Sequence, residues 1–187
     1  MTEKIVLVPG DGIGKEISES VEAVSVILTP AIAWVHHEAG AEYYEQHGAL
    51  FDPLLLEDIE NTGICIKGPT ATPVGTGFRS INVQLRQAFH TNINLRPVHS
   101  LPGVNSRYED VDIVIFRENS EDLYKGVEYM YDRDTAHGIK IISKKASANI
   151  ITASFEYARK HHRHKVTCVH KANIMKLTDG LFLHTFE

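Results

Sequence analysis

Cysteine and tryptophan are scarce, two and one among 187 residues, and no apolar run approaches the ~20 residues that a membrane-spanning helix requires. Two cysteines cannot supply the dense disulfide framework of a small secreted domain. Cys65 in GICIKG and Cys168 in VTCVH lie in apolar, β-like runs, which reads as two buried free thiols in a reducing compartment. Basic residues are also in deficit, 19 against 24 acidic ones. A chain with a net charge of -5 lacks the general positive field that draws nucleic acid, so neither nucleic acid nor a membrane is expected as a partner. Internal repeats and low-complexity segments are absent as well. What remains, 43% hydrophobic and 23% charged residues, suffices for a domain-sized core. The start, MTEKIVLV, passes from charged residues straight into a strand without a signal- or transit-peptide pattern, and a cytoplasmic location is expected.

Hydrophobic periodicity predicts strands at Ile5–Val8, Ala31–His36, Ile64–Lys67, Asn92–Val98, Asp112–Phe116 and Lys165–Val169, and a strand pair flanking Asp132–His137. Helices are predicted over Lys15–Leu28, Ala41–His47, Pro53–Asn61, Ile81–Phe89, Ala146–His161 and onward from Thr178. In the first of these, Ile17, Val21, Val24 and Leu28 share a face. The alternation of β and α signals points to an α/β fold with a mixed sheet. The turn Gly10-Asp11-Gly12-Ile13-Gly14 follows a strand and opens a helix, much as a dinucleotide fingerprint does, but its G-x-G-x-G spacing is one residue short. It reads instead as a tight turn that requires glycine dihedrals. His161, His162 and His164 fall at a helix end, where cationic side chains suit the dipole better than they suggest a metal.

The stretch Lys67–Arg86, KGPTATPVGTGFRSINVQLR, joins a Gly/Pro-rich loop to a helix start that bears Ser80, Asn82 and Arg86. A helix N-terminus carries unpaired N–H groups and a partial positive charge, which favour an anion before any side chain contributes. Ser80 and Asn82 add short polar arms, and Arg86, one turn beyond Asn82, presents a fork that can take a carboxylate through two hydrogen bonds. An N-capped surface helix with a solvated arginine would carry the same residues. Arg96 in NLRPV and Arg117 in IVIFRENSEDLY, each at the end of an apolar β-rich run, favour the carboxylate-binding reading, because that is where the cleft of an α/β protein opens. Three arginines suit a ligand with about three carboxylates.

With these residues in view, S-x-N-x-x-L-R at Ser80–Arg86, L-R-P at Leu95–Pro97, R-E-N-S-E-D-L-Y at Arg117–Tyr124 and H-K-A-N-I-M at His170–Met175 resemble the isocitrate dehydrogenases of the β-decarboxylating dehydrogenase family. The resemblance runs from PGDGIG at Pro9–Gly14 to DGLF at Asp179–Phe182. Ser80 and Asn82 resemble the isocitrate-specific form rather than the isopropylmalate form, which carries apolar or acidic residues there. A pocket with buried polar arms rejects an apolar substrate, since its donors would be left unpaired.

The resemblance implies the isocitrate/isopropylmalate dehydrogenase fold, not a Rossmann fold. It implies oxidative decarboxylation of isocitrate to 2-oxoglutarate with NAD as cofactor, NADP being the alternative, and closest likeness to NAD-type enzymes. Ser80, Asn82, Arg86, Arg96 and Arg117 would bind the substrate carboxylates, while Tyr124 and Lys171 would act as acid–base residues. A phenol with an unperturbed pKa near 10 can protonate an enolate only if cations stabilise its phenolate, and Lys171, which in the resembled family serves the active site of the partner subunit, would supply one. Thr72 and Asn173 would approach the nicotinamide and ribose.

Residues 1–97 would form the N-terminal part of a large α/β domain with apolar sheet surface uncovered, and 98–187 a smaller domain with a segment that interlocks two subunits. The remainder of the large domain, the aspartates that bind Mg²⁺ or Mn²⁺ and the adenosine loop would then lie beyond Glu187, leaving this chain inactive alone. Glu118, Glu121 and Asp122 read as a structural network beside Arg117, not as ligands. Expected partners are isocitrate and a homodimer or hetero-oligomer of related subunits. A regulatory or assembly subunit, or a truncated remnant that binds a citrate-like ligand, are the alternatives.

Overall fold

Apolar residues on both faces suit Ile5–Val8 to the centre of a parallel sheet, and they occupy that place in the computed structural model, which describes residues 2–29, 31–71 and 80–187. The chain divides into two units, Met1–Phe89 and His90–Glu187. In the first, β1 (Glu3–Val8) lies between β2 (Ile32–His36) and β3 (Cys65–Lys67), all parallel, with Ile5 opposite Trp34 and Val6 opposite Cys65. Helix α1 (Gly14–Leu28) joins β1 to β2, and α2 (Ala41–His47), α3 (Leu55–Thr62) and α4 (Ile81–Ala88) complete the unit.

The core of this unit gathers Val6, Val8, Ala39, Leu55, Ile59 and Ile81. Leu55 and Ile59 stand one turn apart on α3, so both reach the same sheet face. His37, also buried, ties the end of β2 to α3 through Nε2 at 2.8 Å from Asp58. Helix α1 behaves otherwise than its periodicity suggests, since it buries only Gly14 and Ser18. Its apolar face, with Ile17, Val21, Val24 and Leu28, lines an open groove of about 560 Å³ together with Ile5 and Trp34. Periodicity identifies an apolar face correctly, but whether that face is covered depends on a partner that local pattern cannot reveal.

In the second unit β4 (Ile93–His99) and β5 (Asp112–Glu118) form a seven-pair antiparallel ladder from Ile93–Glu118 to His99–Asp112. The strands β6 (Glu128–Met130) and β7 (Ala136–Gly138) make a separate hairpin, and α5 (Lys144–Lys160) and α6 (Thr178–Phe186) follow. Phe116 of β5 meets Tyr157 of α5 edge to face at 5.4 Å, and Phe155 meets Phe186 of α6 at the same separation. Arg163 closes the far end of the ladder with a fork onto both carboxylate oxygens of Asp112, at 2.5 and 2.6 Å.

Two expectations change. Among the described residues the parallel and antiparallel pairings lie in separate sheets, not in one mixed sheet. Lys165–Val169 is not a strand there, because its apolar alternation finds no neighbouring edge with which to share hydrogen bonds. Residue 97 lies within β4, which pairs with β5 through His99, and the chain divides into its two units after Phe89. Pro97 is tolerated inside β4 because, among the described residues, that strand pairs on one side only, so its missing N–H falls on the unpaired edge.

Candidate active site

The glycine turn after β1 is built for close packing. Gly10 has φ 76°, and a Cβ there would lie 2.0 Å from the carbonyl oxygen of Pro69. The turn thus lies directly against the loop that follows β3, with the Asp11 N–H donating to the Pro69 carbonyl at 2.8 Å. The Asp11 carboxylate fixes three further backbone donors: Ala41 at 3.1 Å, Glu42 at 3.2 Å and Ala71 at 2.6 Å. It caps α2 in place of Gly40, which has φ 133° and would drive a Cβ to 2.3 Å from that carboxylate. The reading of PGDGIG as a tight turn holds, and the role of Asp11 as a clamp on the loop was not visible in the spacing.

Lys67 emerges as a neighbour of that loop. Its ammonium donates to the Gly68 carbonyl at 2.7 Å and to the Thr70 hydroxyl at 3.0 Å. Burial, helped by the charge of Arg86, lowers its pKa from the ordinary lysine value. Ser80 occupies the N-cap of α4, but its hydroxyl makes no capping bond to the helix; its carbonyl accepts from Val83 and Gln84 at 2.9 and 3.0 Å. Asn82 and Arg86 are half-buried on the same helix, Arg86 in its last turn. Thr72 lies outside the described residues.

In the second unit Arg117 and Tyr124 are brought together. The Arg117 Nη2 donates to the Tyr124 hydroxyl at 2.5 Å, and its guanidinium carbon lies 5.4 Å from the ring centroid. Within the chain the cation beside this phenol is Arg117. Arg117 pairs with Asn94 and Arg96 with Ile115, so the two arginines are diagonal neighbours on one face of the ladder. Arg96 stands inside β4 instead of at a strand end, and its Nε donates to Asn94 Oδ1 at 3.1 Å.

Tyr124 is carried on a single 3₁₀ turn, Leu123–Lys125, held between Asp122 at φ 64° and Gly126 at φ 63°. A non-glycine residue in that region is strained, and such strain concentrates where a neighbouring side chain must be aimed. The carboxylates beside Arg117 serve the backbone, as expected. Glu118 accepts from the Ser120 and Glu121 N–H groups at 2.9 Å each. Glu121 takes both the N–H and the hydroxyl of Ser143 at 2.7 Å, and Ser143 caps α5. Asp122 accepts from the Leu123 N–H at 2.8 Å.

Lys171 is exposed and opens a turn in which its carbonyl accepts from Ile174 at 3.0 Å and Met175 at 2.8 Å. Its own N–H donates to Asp179 Oδ1 at 2.9 Å. Asn173 is exposed in the same turn. Asp179 also receives the Lys140 ammonium at 2.7 Å, and that ammonium lies 3.6 Å from Asp122. Lys140 and Asp179 were missed because they are 39 residues apart, and only the folded chain brings them together. Among the described residues no group of three or more His, Cys, Asp or Glu side chains is placed to hold a metal ion. His161, at the C-cap of α5, stacks on Tyr157 at 3.9 Å.

The first unit offers a polar helix start, and the second, taken by itself, two arginines on one ladder face and a phenol held by a guanidinium. Residues 4–187 match the family described as isocitrate/isopropylmalate dehydrogenase. The chain is 42% identical to the chloroplastic 3-isopropylmalate dehydrogenase of Solanum tuberosum, over 95% of this chain and 50% of that one. It is 44% identical to a mitochondrial regulatory subunit of the NAD isocitrate dehydrogenase of Dictyostelium discoideum, over 97% and 49% respectively. Its backbone superposes on the crystal structure of the isocitrate dehydrogenase of Methylococcus capsulatus with a TM-score of 0.90 at 43% identity, covering 98% of this chain and 56% of that one. The chain therefore spans about half the length of the relatives it matches.

Proposed function

We propose that this chain, which belongs to the isocitrate/isopropylmalate dehydrogenase family, carries the carboxylate-binding and proton-transfer groups of an enzyme that oxidises and decarboxylates isocitrate to 2-oxoglutarate. The observation that carries the proposal is the Arg117–Tyr124 contact with Arg96 on the same ladder face. NAD, or NADP as the alternative, would supply the acceptor for the hydride that leaves the carbon bearing the substrate hydroxyl, while the hydroxyl proton goes to a protein base. Ser80 and Asn82 at the start of α4, and Arg86 in its last turn, hold carboxylate and hydroxyl groups. Arg96 and Arg117 offer charge-assisted forks to carboxylates. Tyr124 delivers a proton to carbon after carbon dioxide leaves, and the guanidinium of Arg117 stabilises the oxygen it leaves behind. Lys171 is the second acid–base group. Thr72 and Asn173 are assigned to the nicotinamide and ribose by resemblance to the family.

The Mg²⁺ or Mn²⁺ that the family resemblance implies finds no ligand set among the described residues, and Glu118, Glu121 and Asp122 are engaged with backbone groups or Lys140. No step is therefore assigned to it. Isocitrate is preferred over 3-isopropylmalate because Ser80 and Asn82 would be left unpaired against an isopropyl group. The test is turnover by the full-length protein: 2-oxoglutarate and carbon dioxide should appear in equal amounts with the reduced dinucleotide. A regulatory role is the second reading, favoured by the 44% identity to the Dictyostelium regulatory chain. It predicts that the protein is inactive alone and raises the activity of a catalytic partner. Association with related subunits belongs to both readings.

A further inference from the structure

Beside the two arginines of the ladder face stands a short amide, Asn94. It lies directly opposite Arg117 across the two strands and two residues before Arg96 on its own strand, so all three side chains leave the same face. Asn94 is half-buried, whereas Arg96 and Arg117 are exposed. Its Oδ1 accepts from Arg96 Nε at 3.1 Å. Chemistry fixes which way the amide is turned, because a guanidinium has donors only and the atom that faces it must be the carbonyl oxygen.

This contact decides which edge of Arg96 a ligand can use. A guanidinium can grip a carboxylate side-on, through Nε and one Nη, or end-on, through Nη1 and Nη2. With Nε donating to Asn94, the side-on edge is closed and the end-on edge remains. The bond also restrains a long side chain that would otherwise sample many rotamers, and a fork fixed before its ligand arrives loses less entropy on binding.

We infer that Asn94 is a positioning residue, which fixes the Arg96 guanidinium so that a substrate carboxylate is met end-on through Nη1 and Nη2. The inference rests on the carboxylate-binding role proposed above for Arg96. Asn94 acts through that arginine. A restraint of this kind prepares binding without following the change of charge during the reaction, so its loss should weaken the hold on ground state and transition state alike. Arg96→Lys removes the fork that the amide holds, and in that background Asn94 should have no further work to do.

The test uses the full-length protein with Asn94→Leu, Asn94→Asp, Arg96→Lys and the Asn94→Leu/Arg96→Lys double variant. Asn94→Leu, similar in shape but without an acceptor, should raise the KM for isocitrate by about fivefold to thirtyfold and leave kcat within about threefold. The KM for the dinucleotide should stay within about twofold. The double variant should lose no more than Arg96→Lys alone, because both changes break one unit. The Arg96 Nε–H, followed by NMR, should exchange with solvent more slowly in the native protein and in Asn94→Asp, which keeps an acceptor, than in folded Asn94→Leu. An unchanged KM for isocitrate, a fall in kcat alone, additive losses in the double variant, or an Nε–H indifferent to Asn94→Leu would each overturn the inference. If Asn94→Leu does not fold, Asn94→Ala carries the comparison. Absence of isocitrate-dependent turnover in the native protein would instead defeat the functional reading. Protection of the Arg96 Nε–H then decides the positioning role alone, lost in Asn94→Leu if it holds and unchanged if it fails.

Discussion

Replacing Arg117 by lysine keeps the charge and removes the geometry, so it isolates what the fork does. In the structure Nη2 donates to the Tyr124 hydroxyl while the guanidinium plane lies near the ring, 5.4 Å from its centroid. A lysine ammonium is a compact, strongly hydrated point charge and cannot meet the phenol and a substrate carboxylate in parallel. A hydrogen bond to a charged group contributes about 1.5–3 kcal/mol. If that bond is strongest when negative charge develops on the phenol oxygen, its loss should lower kcat/KM for isocitrate by about tenfold to about 150-fold. The assay is steady-state reduction of the dinucleotide by the full-length protein, with each variant checked for native unfolding behaviour. Tyr124→Phe should go further in one respect, slowing conversion past the β-keto intermediate more than hydride transfer, measured by trapping that intermediate in a single turnover. A kcat/KM within about threefold of the native value for Arg117→Lys would refute the reasoning. Equal slowing of both steps in Tyr124→Phe would remove the tyrosine from its role as proton donor.

Other predictions concern the frame around the site. Leu55, fully buried against Val6 and Val8, should cost about 2–5 kcal/mol of stability when cut to alanine, measured by denaturant unfolding. Loss of less than about 1 kcal/mol would mean that Leu55 does not anchor the core. Asp11→Ala removes the acceptor of three backbone N–H groups and should accelerate hydrogen exchange at Ala71 and Ala41; unaltered exchange at Ala71 would show that the clamp on the loop is unimportant. The Lys140–Asp179 pair sets a pH window. The lowered Asp179 pKa stabilises the fold above about pH 3.9, the unfolded value, and this is lost as pH falls through the lower folded value. The raised Lys140 pKa stabilises it below about pH 10.4, and this is lost as pH rises through the higher folded value. The stability difference between native protein and Lys140→Met should therefore be flat from about pH 5 to 9 and shrink beyond both ends. A difference that varied steeply near pH 7 would point to another titrating group.

The parts of the fold legible in sequence are those governed by neighbours along the chain. The buried run Ile5–Val8 announced the central strand, and α2 spans Ala41–His47, the residues predicted for it. The Ser80 start of α4 and the ordering of Arg117 and Tyr124 in one motif were likewise readable. What escaped depends on distant parts of the chain. Asp11 reaches Ala71 across 60 residues, and Lys140 reaches Asp179 across 39. Lys165–Val169 has the composition of a strand, but a strand exists only where another edge shares its hydrogen bonds. The apolar face of α1 was identified, yet Leu28 is 73% exposed, since sequence periodicity does not say what covers a face.

The measurement that tests the central claim most directly is the ratio of kcat/KM for isocitrate to that for 3-isopropylmalate, in the full-length protein with NAD and NADP in turn. The polar arms of Ser80 and Asn82 predict a ratio above about a hundredfold in favour of isocitrate, because an isopropyl group would leave them unpaired. Equal use of both substrates, or preference for 3-isopropylmalate, would contradict the account.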